Sequence, residues 1–259
     1  MKIKAVFNRD DKRQQTYIKY LERTFPEIIN EPNPDLFLVV GGDGAMLHAH
    51  KEYGHLGKPF LGKGFGTLNF IMNHFENDFE IIDGLLEGTM VPTIIKTEKI
   101  KVIVKKTNGK KIIKEAINDI VIGNDIMDYH HFQIDSERGS FERFNFSGLG
   151  ICISTPLGST AFNLNNGGKV LPPDAEMWSI TSVVSDHNVN EVMMAQTVDI
   201  KIKSSRHSPT LYVDGTATAI PLEYGDKIKL KKFKHKFKLA FIEPKVFFKK
   251  RMKLIQKKR

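Results

Sequence analysis

The first third of the chain alternates between short apolar runs and segments whose apolar residues recur at helical spacing. KIKAVFN (2–8) predicts a short strand and DKRQQTYIKYLERTF (11–25) a helix. After the loop EPNPD (31–35), LFLVV (36–40) is continuously apolar, as a strand covered on both faces of a parallel sheet would be. GGDG follows it, and AMLHAHKEY then opens a second helix. KPFLGKG (58–64) predicts another strand ending in glycines, and FENDFEIIDGLLEG (75–88) another helix. This alternation predicts an α/β domain with helices on both faces of its sheet.

Beyond VPT (91–93) the period shortens to two. KIKVIVKK (99–106), the Asn-Gly turn in TNGK (107–110) and KIIKEAINDIVIG (111–123) predict a hairpin. Further strand-like stretches are HFQID (131–135), GICIS (150–154), WSITSVV (178–184), VDIKIKS (198–204), TLYVDG (210–215), DKIKLKKF (226–233) and KFKLAFIE (236–243). The expected organisation is an α/β domain over 1–92, joined by the C-terminal tail 245–259, and a β-rich, sandwich-like domain over 93–244. No internal repeat interrupts either part.

Composition narrows the classes. A hydrophobic content of 41% with 18 Phe is ample for a core in 259 residues. One cysteine, Cys152, excludes an internal disulfide and a multi-cysteine zinc site. No apolar run approaches the roughly 18 residues of a membrane span, and MKIKAVFNRD turns polar too soon for a signal peptide. The expectation is a soluble cytoplasmic protein without a membrane partner. The net charge of +9 is uneven: residues 227–259 hold 15 Lys plus Arg against the single acid Glu243. In KIKLKKFKHKFKLAF the basic and apolar positions alternate as in a half-buried strand with a solvated face. The sharper reading is attraction to a polyanion such as polyphosphate. No aromatic-rich RNA motif or zinc finger accompanies the segment, so no specific nucleic-acid partner is expected.

Five stretches carry candidate chemistry. In LVVGGDGAMLHA (38–49) the turn lacks the Gly-Lys-Ser/Thr of a P-loop and the third glycine of a dinucleotide fingerprint. Asp43 there either caps the following helix or stays ionised beside a phosphate. In the second role it could hold Mg²⁺ against the phosphate, or take the proton of an attacking sugar hydroxyl. LGKGFGTLNF (61–70) looks like a protein-kinase lid, but Thr67 stands where the third glycine should fall and no kinase catalytic loop follows. It reads instead as a glycine-lined loop that lets a ligand approach the backbone. In EAINDIVIG (115–123), Asn118 and Asp119 interrupt an apolar run, so they either find partners or sit in a solvent-facing bulge or turn. In ISTPLGSTAFNLNNGG (153–168), Ser159 and Thr160 can cap a helix through AFNL that Gly167 and Gly168 close, a start suited to a nucleotide or simply a capped helix. YVDGT (212–216) reads as a hairpin corner. The histidines fit no metal-ligand spacing.

In this order, GGDG, a PFLGxG-type loop, an Asn-acid pair, STPxGSTAF and VDG resemble the NAD kinase family of the bacterial ATP- or polyphosphate-dependent type, from about residue 36 to 244. The resemblance implies an N-terminal α/β domain, a β-rich C-terminal domain and an active site between them, with NAD phosphorylated at its adenosine-ribose 2′-hydroxyl. It implies that Asp43 is the general base or a hydroxyl-orienting acid, and that Gly44 and His48 border the dinucleotide. Asn118 and Asp119 would hold NAD near its nicotinamide end. Thr160, Ala161, Phe162, Asn163 and Asn165 would line the adenine and ribose pocket, with Ser147, Leu164 and Val184 in the same nucleotide-binding set. The implied donor is ATP with Mg²⁺ or polyphosphate, and the implied assembly a homodimer or homotetramer. The chain departs from the pattern at Lys63 and Gly64, usually Ile-Asn; at Asp119, usually Glu; at Phe162, usually Tyr; and at Leu149, where FSGLG replaces the family's Gly-Asp-Gly. The last departure motivates the alternative of an NAD(P)-binding sensor lacking turnover. A GGDG-type lipid kinase shares the turn but would not need the STPxGSTAF pocket.

Overall fold

The computed structural model describes residues 1–65, 69–74, 76–124, 128–136, 143–194, 197–204, 207–215 and 218–257. The chain divides into two compact units, residues 1–96 with 237–259, and residues 97–236.

The first unit contains β1 (Ile3–Val6), α1 (Gln15–Thr24), β2 (Leu36–Gly41), α2 (Asp43–Tyr53), β3 (Phe60–Gly64), α3 (Asp78–Glu87) and β4 (Thr93–Thr97). The chain returns to it as β16 (Phe237–Phe241) and α5 (Pro244–Lys257). The strands run β1-β2-β3-β16-β4 across one sheet, and β2 pairs in parallel with both β1 and β3. Every residue of β2 is buried, as its unbroken apolar run predicts for a strand inside a parallel sheet. Leu36, Leu38 and Val40 of β2 join Ile3, Leu21, Ile28, Leu61, Ile82 and Leu85 in one core of the unit.

One strand lies elsewhere than expected. The pattern of KFKLAFIE predicts the last strand of a β-rich domain ending at 244, but β16 pairs in parallel with β3 in the first sheet. Phe237, Leu239, Ala240 and Phe241 are all buried, a pattern that suits the inside of a parallel sheet better than a strand with one solvated face. Asn73 fixes it there: its side-chain amide donates to the Ala240 carbonyl at 3.1 Å and its Oδ1 accepts from the Ile242 amide at 3.0 Å. The first unit therefore resumes at 237, not 245, and its first segment extends to 96 because β4, unread in the sequence, adds an edge strand.

The second unit contains β5 (Ile100–Lys105), β6 (Lys111–Ala116), β7 (Asp119–Gly123), β8 (His130–Ser136), β9 (Arg143–Ser154), α4 (Phe162–Asn165), β10 (Met177–Ser185), β11 (Asn190–Met194), β12 (Val198–Ser204), β13 (Thr210–Val213), β14 (Ala219–Pro221) and β15 (Lys227–Lys232). Its strands form one antiparallel sheet ordered β14-β13-β7-β9-β8-β12-β15-β5-β6, with β10 paired to β9 and β11 to β10. Inward positions of all these strands share a single core that includes Trp178, Phe132, Ile153, Ile200 and Leu230. In β15, Ile228 and Leu230 enter that core while Lys227 and Lys231 stay exposed, so this part of the basic segment is the solvated face of a half-buried strand.

The expected hairpin forms between β5 and β6. Its second strand does not run on to 123, however: the chain turns at Ile117–Asn118, and β7 leaves β5 to pair with β9 and β13. The cause of that break lies in the functional region. No helix among the described residues is long and apolar enough to cross a membrane.

Candidate active site

In the first unit, β2 passes into α2 through Gly41 and Gly42. Gly41 adopts a φ of +149°, and a Cβ there would lie 2.6 Å from the Cβ of Ala45, so the turn requires glycine. Gly42 occupies the helix N-cap and Asp43 is the first helical residue, one position too late to act as the cap. Its carboxylate instead reaches a loop 27 residues further on. The Phe70 amide donates to Oδ2 at 2.9 Å and to Oδ1 at 3.2 Å, and the Ile71 amide donates to Oδ1 at 3.1 Å. Backbone donors and the positive end of α2 both favour the ionised acid. The capping alternative gives way to an acid held at a fixed place beside the glycine turn. Gly44 and His48 are exposed on α2 and line an 820 Å³ cavity of this unit. Within the glycine-lined loop, Gly66, Thr67 and Leu68 lie outside the described residues. Lys63, where the family has another residue, pairs with Asp78 at 2.7 Å.

In the second unit, the Asn118–Asp119 pair sits where β6 gives way to β7. Asp214, in the corner between β13 and β14, explains the break. Its Oδ2 accepts from the Ile117 amide at 2.9 Å, and its Oδ1 accepts from the amides of Asn118 at 2.8 Å and Asp119 at 3.1 Å. Its own amide donates to the Asp119 carbonyl at 2.9 Å. From the other side the Thr155 hydroxyl donates to the Ile117 carbonyl at 2.6 Å and the Thr155 amide to the Asn118 carbonyl at 2.9 Å. A Cβ on Gly158 would come within 2.0 Å of the Asn118 carbonyl oxygen, so the STPLGST loop packs onto this turn only because residue 158 is glycine. Asp214 holds φ at +51°, an uncommon conformation for a non-glycine residue. The sequence reading placed only a hairpin corner here. The signal available was an acid beside a turn glycine; its partners, nearly a hundred residues away, left none.

Asp119 is 5% exposed, and burial, with the charge of Asp214 beside it, pushes its carboxyl up to about 7. Burial raises Asp214 as well, but its three amide donors pull it back. The proton of the pair therefore belongs mainly to Asp119.

The 155–168 loop is built differently from the expected capped helix. Ser159 and Thr160 are buried, and the N-cap of α4 is Ala161, with no side-chain cap hydrogen bond. The Ser159 hydroxyl donates to the Pro156 carbonyl at 2.7 Å and accepts from the Leu171 amide at 2.9 Å, and that of Thr160 donates to the Leu157 carbonyl at 3.3 Å. Asn163 is fully buried: its amide donates to the carbonyls of Ser159 and Lys169, and its Oδ1 accepts from the Ser179 hydroxyl at 2.9 Å. Its side chain thus shapes the loop from inside, whereas Phe162 and Asn165 are exposed and Ala161 and Leu164 half-buried. Ser147 and Val184 fall on the neighbouring strands β9 and β10. Val184 is exposed and holds φ at +39° between the register pairs Val183–Gly150 and Ser185–Gly148, in step with Leu149. Ser147 hydrogen-bonds through its hydroxyl to His131 Nδ1 at 2.6 Å, and its amide donates to Asp186 at 2.8 Å. An acid therefore does stand beside the strand that carries Leu149.

Residues 101–242 match the family model of the ATP-NAD kinase C-terminal domain. The chain belongs to the NAD kinase family. It is 29% identical to the NAD kinase of Lachnoclostridium phytofermentans, with 88% of this chain and 82% of that protein covered. It is 26% identical to that of Natranaerobius thermophilus, covering 83% and 75%. Among solved structures, yeast NADH kinase complexed with NADH superposes with a TM-score of 0.79 at 19% identity, covering 98% of this chain and 86% of that one. An NAD kinase from Archaeoglobus fulgidus in complex with ATP gives 0.66 at 16% identity, covering 99% of both. These two likenesses carry the fold.

Proposed function

We propose that this kinase transfers a phosphoryl group to the 2′-hydroxyl of the adenosine ribose of NAD, giving NADP. The observation that carries the reading is the amide-held Asp43 at the start of α2. The ribose oxygen bonds to the donor's terminal phosphorus as the bond from that phosphorus to the donor's bridging oxygen breaks, and the hydroxyl proton passes to the Asp43 carboxylate. Recognition of NAD is assigned to the second unit. Asn118 and Asp119, fixed by Asp214, present hydrogen-bonding groups near the nicotinamide end. The exposed side of the 161–165 turn, with Ser147 and Val184, serves the adenosine half. The donor is ATP as its Mg²⁺ complex, the metal arriving with the substrate's phosphates, or inorganic polyphosphate. The protein acts in the cytoplasm as a homodimer or homotetramer. The purified full chain, given NAD and either Mg²⁺-ATP or polyphosphate, is expected to form NADP. Binding of NAD with no NADP from either donor would replace this reading with the sensor, for which Leu149 is the motive.

A pH dependence follows from Asp119. Its carboxyl ionises near pH 7 in the free protein, and the ionised form is the better acceptor for hydroxyl and amide donors of NAD. We expect kcat/KM for NAD to rise with pH through about 7, and Asp119→Asn to flatten that limb. The stability effect runs the other way. A carboxyl raised from 3.8 to about 7 on folding contributes stability that is present at low pH and lost as pH rises across that window. Thermal unfolding of wild type and Asp119→Asn between pH 4 and 8 checks the sign.

A further inference from the structure

We propose that the ion pair between Lys63 and Asp78 is a positioning device for Asp43. It ties the neck of the loop whose amides hold that carboxylate, and it serves turnover rather than stability. The proposal rests on the reading of Asp43 as the base. Lys63 is the last residue but one of β3 and Asp78 the first of α3, so the pair joins the two ends of the segment that carries Phe70 and Ile71. The Lys63 ammonium lies 2.7 Å from Asp78 Oδ1, and the lysine side chain is only 11% exposed. It also stands 5.6 Å from the centre of the Tyr17 ring on α1 and 5.9 Å from that of Phe65, the first residue after β3. Where the family pattern has Ile-Asn this chain has Lys63-Gly64, so the charge at 63 has no counterpart in that pattern.

Close contacts carry the position of the neck to the acid. The Phe65 amide donates at 2.8 Å to the carbonyl of Gly41, two residues before Asp43. On the returning side the Asn73 amide donates to the Gly62 carbonyl at 2.8 Å, and the Asn73 carbonyl accepts from the Gly64 amide at 3.0 Å. These two bonds flank Lys63 on β3. Between the anchors, Asn69 is buried. A Cβ on Gly64 would lie 2.8 Å from its amide nitrogen and a Cβ on Gly42 3.3 Å from its Oδ1, so its side chain fills the space beside both glycines. The next two residues are Phe70 and Ile71, whose amides hold Asp43. A displaced neck therefore displaces the acid, and a misplacement of about 1 Å costs roughly a hundredfold in rate. Stability follows a different rule. Taking both charges out of water costs about what their attraction returns, so two apolar side chains of similar volume would hold the fold as well. They would not fix one distance, because apolar contact is non-directional and a charge-assisted hydrogen bond is not.

The test uses the full chain and two variants. Lys63→Met/Asp78→Leu replaces the pair with apolar side chains of similar size. Lys63→Met alone leaves Asp78 in the favourable field of the α3 N-terminus. Thermal unfolding, kcat and KM for NAD, and hydrogen exchange at the Phe70 and Ile71 amides are measured for each. The double variant is expected to unfold within about 3 °C of wild type and to keep KM for NAD within about twofold. Its kcat is expected to fall about ten- to a hundredfold, and both amides to exchange at least about tenfold faster. Should the double variant not fold, Lys63→Met decides alone by the same kcat and exchange measurements. Wild-type kcat in a folded variant, or unchanged protection of the two amides, overturns the proposal. The exchange measurement needs no turnover. Faster exchange in variants of a protein that makes no NADP would keep the tie between the pair and Asp43 and sink only the kinase reading.

Discussion

Asp43→Asn is expected to keep NAD affinity within about threefold of wild type and to lower the rate of NADP formation by roughly two to four decades, the scale of a positioned base. The geometry allows this substitution to separate structure from chemistry. Both loop amides, from Phe70 and Ile71, reach Oδ1, and Oδ2 accepts from the Phe70 amide at 2.9 Å. An asparagine carbonyl at the Oδ1 place keeps an acceptor for both, while its NH₂ at the Oδ2 place meets the Phe70 amide donor against donor, so stability falls by about 1–3 kcal/mol without removing the loop's anchor. What disappears is the charge and the ability to accept a proton. Asp43→Ala would instead leave two amides without their acceptor and confound the measurement. Initial rates with saturating NAD, beside a direct NAD titration, decide the matter, and turnover within threefold of wild type would sink the assignment of Asp43 as base.

The parts of this protein that were legible in its sequence are those whose cause is local. LFLVV announced a strand buried on both faces because every one of its positions is apolar, and β2 is buried at each. KIKLKK announced one dry and one wet face for the same reason. The β16 strand was placed with the wrong neighbours because alternation at its start, KFK, hid the fully apolar LAF that follows, and strand partners are a property of the sheet rather than of the segment. The short strands β4, β11 and β14 carry too few apolar residues to announce themselves. In the site, the glycines around Asp43 drew attention to it, yet the amides that hold it lie 27 and 28 residues away in a loop with no distinguishing composition. Ser159, Thr160 and Asn163 show the converse. Their types suit capping and ligand binding, but burial turned all three polar groups inward to fix the loop.

Asp214 is the residue that reading along the chain passed over, and replacing it is expected to have the largest effect outside Asp43. Asp214→Ala leaves the amides of Ile117, Asn118 and Asp119 without their acceptor at a buried turn. At about 1–3 kcal/mol for each unsatisfied group, that change threatens the fold of the second unit. Asp214→Asn is the more informative variant. Its carbonyl at the Oδ1 place still accepts from Asn118 and Asp119, while its NH₂ group at the Oδ2 place faces the Ile117 amide, donor against donor. Stability should fall by about 1–3 kcal/mol, with the turn displaced at Ile117. KM for NAD should rise at least tenfold with a smaller change in kcat, because Asp214 positions Asn118 and Asp119 and does not itself meet the reacting atoms. A purely structural role would stop there. The asparagine also removes a negative charge beside Asp119, one of the two causes that hold its carboxyl near 7. The rising limb of kcat/KM for NAD should therefore move to lower pH in Asp214→Asn, whereas Asp119→Asn abolishes it. An unshifted limb with unchanged KM in a folded Asp214→Asn protein would show that the clamp serves the sheet alone.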